Sequence, residues 1–170
     1  MLSLSVPDVR DFMGKLFKEA VFDGFETRSV SISTVAHFQI DGEKTQRPAI
    51  PNVSVPVAAP DDEVTGSAVA KIKSFCSWQE LRPYAFAFIR GTVRPTFFKI
   101  VLSCRGEIMS GLSENAGAMF LNITLEGEAV RLTTGVSQKT FLLDKTHETA
   151  WDSYVESFLA NSGIKFVSEL

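Results

Sequence analysis

A chain of 170 residues, with 45% hydrophobic and 22% charged residues and a formal net charge of −3, has the balance of a soluble globular protein. That balance excludes a disordered acidic or basic chain, a collagen-like repeat and a coiled-coil rod. The length suits a single domain over residues 1–170, able to bury roughly 70% of its unfolded surface without disulfides or metals. One count stands out: fourteen Phe against two Tyr and two Trp.

In chain order, Ser5, Pro7 and Asp8 form a helix start, with Ser5 as cap and Asp8 in the capping-box position. Val9, Phe12, Met13, Leu16, Phe17 and Ala20 follow at helical period, which predicts a helix over about 6–20. From Val30 the period becomes two, through Ile32, Thr34, Ala36, Phe38 and Ile40, so one long strand, bulged by its length, is expected up to Asp41-Gly42. Residues 43–70 hold four of the seven prolines (Pro48, Pro51, Pro56, Pro60) and the acid run Asp61, Asp62, Glu63. Proline withholds a ladder hydrogen bond, so this reads as a Pro-rich surface excursion with one short edge strand near 53–57.

Ser77-x-x-Glu80 is a capping box that opens a second helix, which Pro83 should break or kink and Gly91 should end. Pro95 precedes an alternating strand, with Phe98, Ile100, Leu102 and Cys104 on one face and Phe97, Lys99, Val101 and Ser103 on the other. A short helix is expected near 107–112. A hairpin follows, with strands 119–125 and 129–134 around Glu126-Gly127-Glu128. After a turn at 135–138, a third strand is expected over 140–143. Asp144 or Thr146 caps a last helix carrying His147, Trp151, Tyr154, Val155, Phe158 and Leu159 at helical spacing, closed by Gly163. Residues 164–167 are a short terminal strand or a docked tail. The fold class that results is α+β: a mostly antiparallel sheet of about five to six strands with about three helices packed on it.

Cys76 and Cys104 lie 28 apart with no CxxC, so neither a disulfide framework nor a zinc site is expected, and both read as small buried side chains in a reducing cytosol. Asp8 interrupts the N-terminus before an apolar run of about seven residues, which excludes a visible signal peptide. The longest apolar stretch, 84–89, is far short of the ~20 residues of a membrane span. The expected compartment is the cytoplasm.

No catalytic constellation is evident, and no catalytic, cofactor-binding or metal-binding residue is assigned. The two histidines are His37, on the polar face of a strand, and His147, at the start of the last helix. Neither has a nucleophile at readable spacing, and no Gly-x-Ser-x-Gly elbow is present. His147-Glu148-x-x-x-Asp152 is not His-Glu-x-x-His; His147 shares a face with Trp151, and the acids point elsewhere. Residues 133–137 read as a hairpin turn or as a small nest of backbone N–H groups for an anion.

Charge is the strongest remaining signal. Residues 71–105 carry seven basic residues and one acid, a net of +6, against −4 before and −5 after. Within the block, Arg90, Arg94, Lys99 and Arg105 bracket a helix end and a strand, with Phe97 beside Lys99. Glu148, Asp152 and Glu156 form an acidic stripe at i, i+4, i+8 on the last helix. The leading expectation is a non-catalytic interaction or scaffold domain that uses these segregated surfaces toward an unknown protein partner or itself, as a homodimer. Nucleic-acid binding through 71–105 is a second expectation, not favoured by the negative total charge. A Phe-lined pocket for a small apolar ligand is the third. No membrane partner and no cofactor are expected.

Trp78-x-x-Leu81-Arg82-Pro83, Ile89-Arg90-Gly91, Pro95, Phe98-Lys99-Ile100, Leu121-Asn122-Ile123, Thr133-Thr134-Gly135, Phe141-x-Leu143-Asp144-Lys145 and Trp151-Asp152 form a string that runs through the second half. Together these motifs resemble a bacterial family of about this length known only as a domain of unknown function. The resemblance spans nearly the whole chain apart from 48–70. It implies a single cytosolic domain, and it implies no catalytic residue, substrate or cofactor.

Overall fold

The computed structural model describes residues 1–45, 73–91, 93–141 and 143–169. Among these the chain runs β1 (Ser3–Val6), α1 (Val9–Phe17), β2 (Glu26–Ser33), β3 (His37–Asp41), α2 (Trp78–Ile89), β4 (Phe97–Ser103), α3 (Gly106–Leu112), β5 (Ala116–Glu126), β6 (Ala129–Gln138), α4 (Thr146–Asn161) and β7 (Val167–Ser168). All strand pairs are antiparallel, in one sheet of order β3-β2-β4-β5-β6-β1-β7. The class is α+β with an antiparallel sheet, as expected, but with seven strands and four helices among the described residues.

Two of the added strands have local causes. Ser5 does not cap α1. Residues 3–6 pair with β6 (Leu4 opposite Leu132, Val6 opposite Val130), and Asp8 is the cap, accepting from the Asp11 N–H at 3.0 Å. The expected strand across 30–40 is two strands. The Thr34 N–H donates to the Ala36 carbonyl at 2.9 Å and folds β3 back onto β2. Alternation survives a tight hairpin, so periodicity alone does not reveal the turn.

Other expectations also change. α2 opens on the Ser77–Glu80 capping box as expected, but it runs unbroken through Pro83 to Ile89, because proline removes only one hydrogen bond of the ladder. β6 continues through Gly135 to Gln138, in register with β5 as far as Ser137 and past a bulge between Ala116 and Ala118 at its end, so residues 133–137 are strand, neither a turn nor a nest. The strand expected over 140–143 is not formed at its described residues, and Phe141 and Leu143 are exposed. The short helix near 107–112, the β5–β6 hairpin and α4 lie where the sequence put them, with Gly127 and Gly163 at positive φ (61° and 67°) closing the hairpin and α4; the N-cap of α4 is Lys145 rather than Asp144 or Thr146, because the Asp144 carboxylate accepts from the Thr146 N–H and hydroxyl beside it. The short edge strand expected at 53–57 lies outside the described residues.

The core explains the layers. Val30 and Ile32 of β2, Phe98, Ile100 and Leu102 of β4, Met119, Leu121, Ile123 and Leu125 of β5, Val130 and Leu132 of β6, and Leu4 and Val6 of β1 are all buried on one face of the sheet. They form one cluster with Phe12, Leu16 and Phe17 of α1, Trp78 and Ala85 of α2, and Trp151, Val155 and Leu159 of α4. Edge-to-face aromatic contacts knit it: Phe12 on Phe22, Phe17 on both Trp78 and Phe98, and Phe158 on both Phe22 and Phe25, at centroid distances of 5.1–5.8 Å. Phe38 and Phe88 stack at 4.2 Å at the β3 edge. No helix among the described residues lies over the opposite face of the sheet, which carries mainly Ser, Thr and Asn (Ser29, Ser31, Ser33, Asn122, Thr124, Thr133).

Residues 42–44 and 74–76 are clasped to each other and to β2. The Cys76 N–H donates to the Gly42 carbonyl (2.8 Å), the Lys44 N–H to the Ser74 carbonyl (2.8 Å) and the Thr27 N–H to the Cys76 carbonyl (2.7 Å). This ladder presses Gly42 onto β2: a Cβ placed there would lie 1.8 Å from the Thr27 carbonyl oxygen. Only glycine fits. Gly42→Ala is therefore expected to cost about 3 kcal/mol or more, read as a lower denaturant midpoint at unchanged m-value.

Candidate functional site

A cleft of about 1100 Å³ opens on the helix side of the sheet, between α1, the C-terminal end of α2 and the β5–β6 turn. Its floor is apolar: Val9, Met13 and Phe17 of α1, Phe86 and Ile89 of α2, Pro95, and Leu125 of β5. Local structure places these residues. Val9, Met13 and Phe17 lie at i, i+4, i+8 on one side of α1, over about 12 Å of helix. Phe86 and Ile89 are one turn apart on α2 and remain half-buried. Arg10, Lys18 and Arg94 border the cleft as cations, with Glu128 as its one acid. All four side chains are exposed, and none makes an ion pair among the described residues.

Arg10, Gly14 and Lys18 form a second row on α1, at i, i+4, i+8, beside the apolar one. Gly14 sits in the helix interior, where glycine costs roughly 0.5–1 kcal/mol relative to alanine. Packing does not demand it: a Cβ at Gly14 would meet nothing within 4 Å. The glycine leaves the cleft wall bare between two cations.

The expected basic residues do not form one patch. Arg94 lines the cleft. Lys99, with Phe97, lies on the uncovered face of β4, the side of the sheet away from the cleft. Arg90 ends α2, while Arg105 precedes α3 and acts electrostatically on Glu80 in the first turn of α2, the other end of that helix. Arg82 pairs with Asp23 at 3.2 Å and Lys73 with Glu43 at 3.5 Å. On α4, Glu148 and Asp152 lie 3.5 and 3.3 Å from the amino group of Met1, and Asp152 also accepts from the Thr134 hydroxyl. Glu156 is half-buried on the same helix. The stripe and the basic block are not brought into contact in the ion pairs of the described residues.

The uncovered face holds one aromatic–cation arrangement. Arg28 is the extra residue of a bulge between Thr27 and Ser29 in the β2–β4 pairing. Its guanidinium lies 3.7 Å from the Phe75 ring centroid and 5.6 Å from that of Phe120, and its Nε donates to the Ser103 hydroxyl at 2.8 Å. Burial pushes the Arg28 pKa down, while Glu26 opposes the shift. His37 bonds Ser33 and Ser31 at the β3 edge, and His147 is buried against Gln138. No helix among the described residues is long and apolar enough to cross a membrane.

Both cysteines are free. Cys104 is buried, and that burial, with Glu26 adding to it, pushes its thiol up to about 11; Cys76 is half-exposed. A thiol whose pKa is raised in the fold stabilises it below the ordinary value, and that contribution fades as pH climbs from about 9 toward about 11. At pH 8, iodoacetamide is expected to label Cys76 in the native chain and Cys104 only after denaturation, with the two counted by mass spectrometry. Equal labelling of the two thiols contradicts the placement of Cys104.

No curated protein matches this chain. No solved structure matches it. The sequence profile of DUF5721, described as a family of unknown function, matches residues 15–167, and so covers all four helices in whole or part and every strand except β1 and the last residue of β7. The chain therefore belongs to DUF5721.

Proposed function

We propose that this protein is a non-catalytic binding domain and that its ligand presents an apolar surface to the cleft between α1, α2 and the β5–β6 turn. We place it in a bacterial cytoplasm, as the family resemblance implies. Gly14 carries the reading. A helix-interior glycine with open space around it lowers stability and serves no contact among the described residues, and it sits in the wall of an apolar-floored cleft. Phe17 and Phe86 in that lining support the Phe-lined site over a surface built from segregated charge, since Arg82 and Lys73 already have acidic partners and Glu148 and Asp152 lie beside an amine.

The test fills the cleft from a position that tolerates it. Gly14→Ala should raise stability by about 0.5–1 kcal/mol and leave the cleft open. Gly14→Leu should fold at least as well but occlude it. The uncharged apolar dye Nile red is expected to bind the wild type and the alanine variant saturably and to lose binding to the leucine variant. Equal dye binding by the wild type and Gly14→Leu counts against the cleft.

A second reading rests on one observation. Phe97 and Lys99 share the uncovered face of β4 with Phe120, Asn122 and Thr124 of β5 and Arg131 of β6, the residue types of a base-stacking platform. Glu26 and Glu126 on the same face oppose it. Fluorescence anisotropy with short single-stranded RNA and DNA at about 50 mM salt decides: saturable binding weakened by Lys99→Ala supports this reading, and no binding ends it.

A further inference from the structure

We infer that the cleft ligand is a long-chain fatty acid anion, its alkyl chain laid along Met13, Phe17, Phe86 and Ile89 and its carboxylate held by Arg94. The inference rests on the cleft reading and adds the chemistry of the ligand. The apolar floor is elongated rather than round, since Val9, Met13 and Phe17 extend it over about 12 Å of α1. A single chain fits such a floor, and the cleft volume of about 1100 Å³ stands just above the roughly 300–1000 Å³ of small-molecule sites. The border is cationic, with three basic side chains to one acid, and none of them is spent on an ion pair among the described residues. An uncharged ligand would leave that surplus without purpose.

The spacing of the cations selects the head group. Arg10 and Lys18 are rooted eight residues apart, about 12 Å along α1, a wider spacing than successive turns would give a pair of cations on one phosphate. A monoanionic carboxylate needs one guanidinium, which it meets with two parallel hydrogen bonds. Arg94 precedes Pro95, which fixes its own backbone φ and restricts that of the residue before it, so the backbone that carries this arginine is held at the cleft border. Arg10 and Lys18 add attraction at longer range, which salt screens.

The test uses the full chain and isothermal titration at sub-micellar concentration with three probes that share a chain length: oleate, oleyl alcohol and oleyl phosphate. Wild type, Arg94→Gln and Gly14→Leu are compared, with circular dichroism and melting confirming that each is folded. Arg94 makes no ion pair among the described residues, so its replacement removes no such contact. Oleate is expected to bind one per chain, at least tenfold tighter than the alcohol and tighter than the phosphate. Arg94→Gln should weaken oleate at least tenfold while leaving the alcohol unchanged, and Gly14→Leu should abolish both. Equal affinity for oleate and oleyl alcohol, or oleate binding indifferent to Arg94→Gln, overturns the carboxylate assignment while the apolar cleft stands. Phosphate binding as tight as oleate overturns the choice of head group. If neither oleate nor the alcohol binds, this inference falls, and Nile red binding shows whether the cleft reading falls with it.

Discussion

The indole of Trp78 is the contact on which the helical layer depends. It is fully buried at the start of α2, and its Nε1–H donates to the Leu16 carbonyl of α1 at 2.8 Å. Its backbone N–H donates to the Phe25 carbonyl just before β2, at 2.9 Å. Its ring meets Phe17 edge to face, and Phe17 in turn meets Phe98 of β4. One side chain thus fixes α1 to α2 and both to the centre of the sheet. The cleft opens beside this junction, between α1, the C-terminal end of α2 and the β5–β6 turn. The carbonyl of Leu16 has no helical partner so close to the end of α1, which is why an indole N–H is the group that meets it.

Covering only one face of the sheet decides where chemistry can sit. The buried face is aliphatic and aromatic throughout, apart from Thr27 and Thr134, and has no room for a reactive pair. The uncovered face is mostly hydroxyls and amides, which water satisfies. Functional capacity therefore gathers where the two layers part, at the end of the helices. The same geometry disperses the basic block. Residues that are neighbours in sequence between 90 and 105 pass from a helix end, through the cleft, to the uncovered face and on to the start of α3.

How much was legible depended on whether the signal was local. The Ser77–Glu80 capping box, the apolar spacing from His147 to Leu159 and Gly127 between two alternating runs are complete within a few residues, and α2, α4 and the β5–β6 hairpin lie where they point. Residues 3–6 are too few to show a period, and they become a strand only because β6 offers an edge. The hairpin at Thr34–Ala36 carries no Gly, Asn or Asp to announce it. Phe141 and Leu143 looked like strand but lie exposed, since alternation records what a segment is able to bury and not whether a neighbour exists. At the site, Arg94 was named from the charge block. Arg10 and Lys18 were passed over, although their i, i+8 spacing around Gly14 on α1 was visible in the helix pattern, because only a cleft beside that row gives it meaning.

By itself the sequence determined the α+β class, the antiparallel pairing of the late strands, the Ser77–Glu80 cap of α2, the Gly163 end of α4, and the buried faces of α1, β4 and α4. These follow from side-chain period and hydrogen bonding within one or two turns of chain. The tertiary structure decided the strand order, the partial exposure of Cys76, the separation of Arg94 from Lys99 onto opposite sides of the sheet and the opening of the cleft. Each of these depends on residues tens of positions apart, as when Trp78 reaches Leu16, and their closeness is set by the packing of the whole core rather than by any local preference.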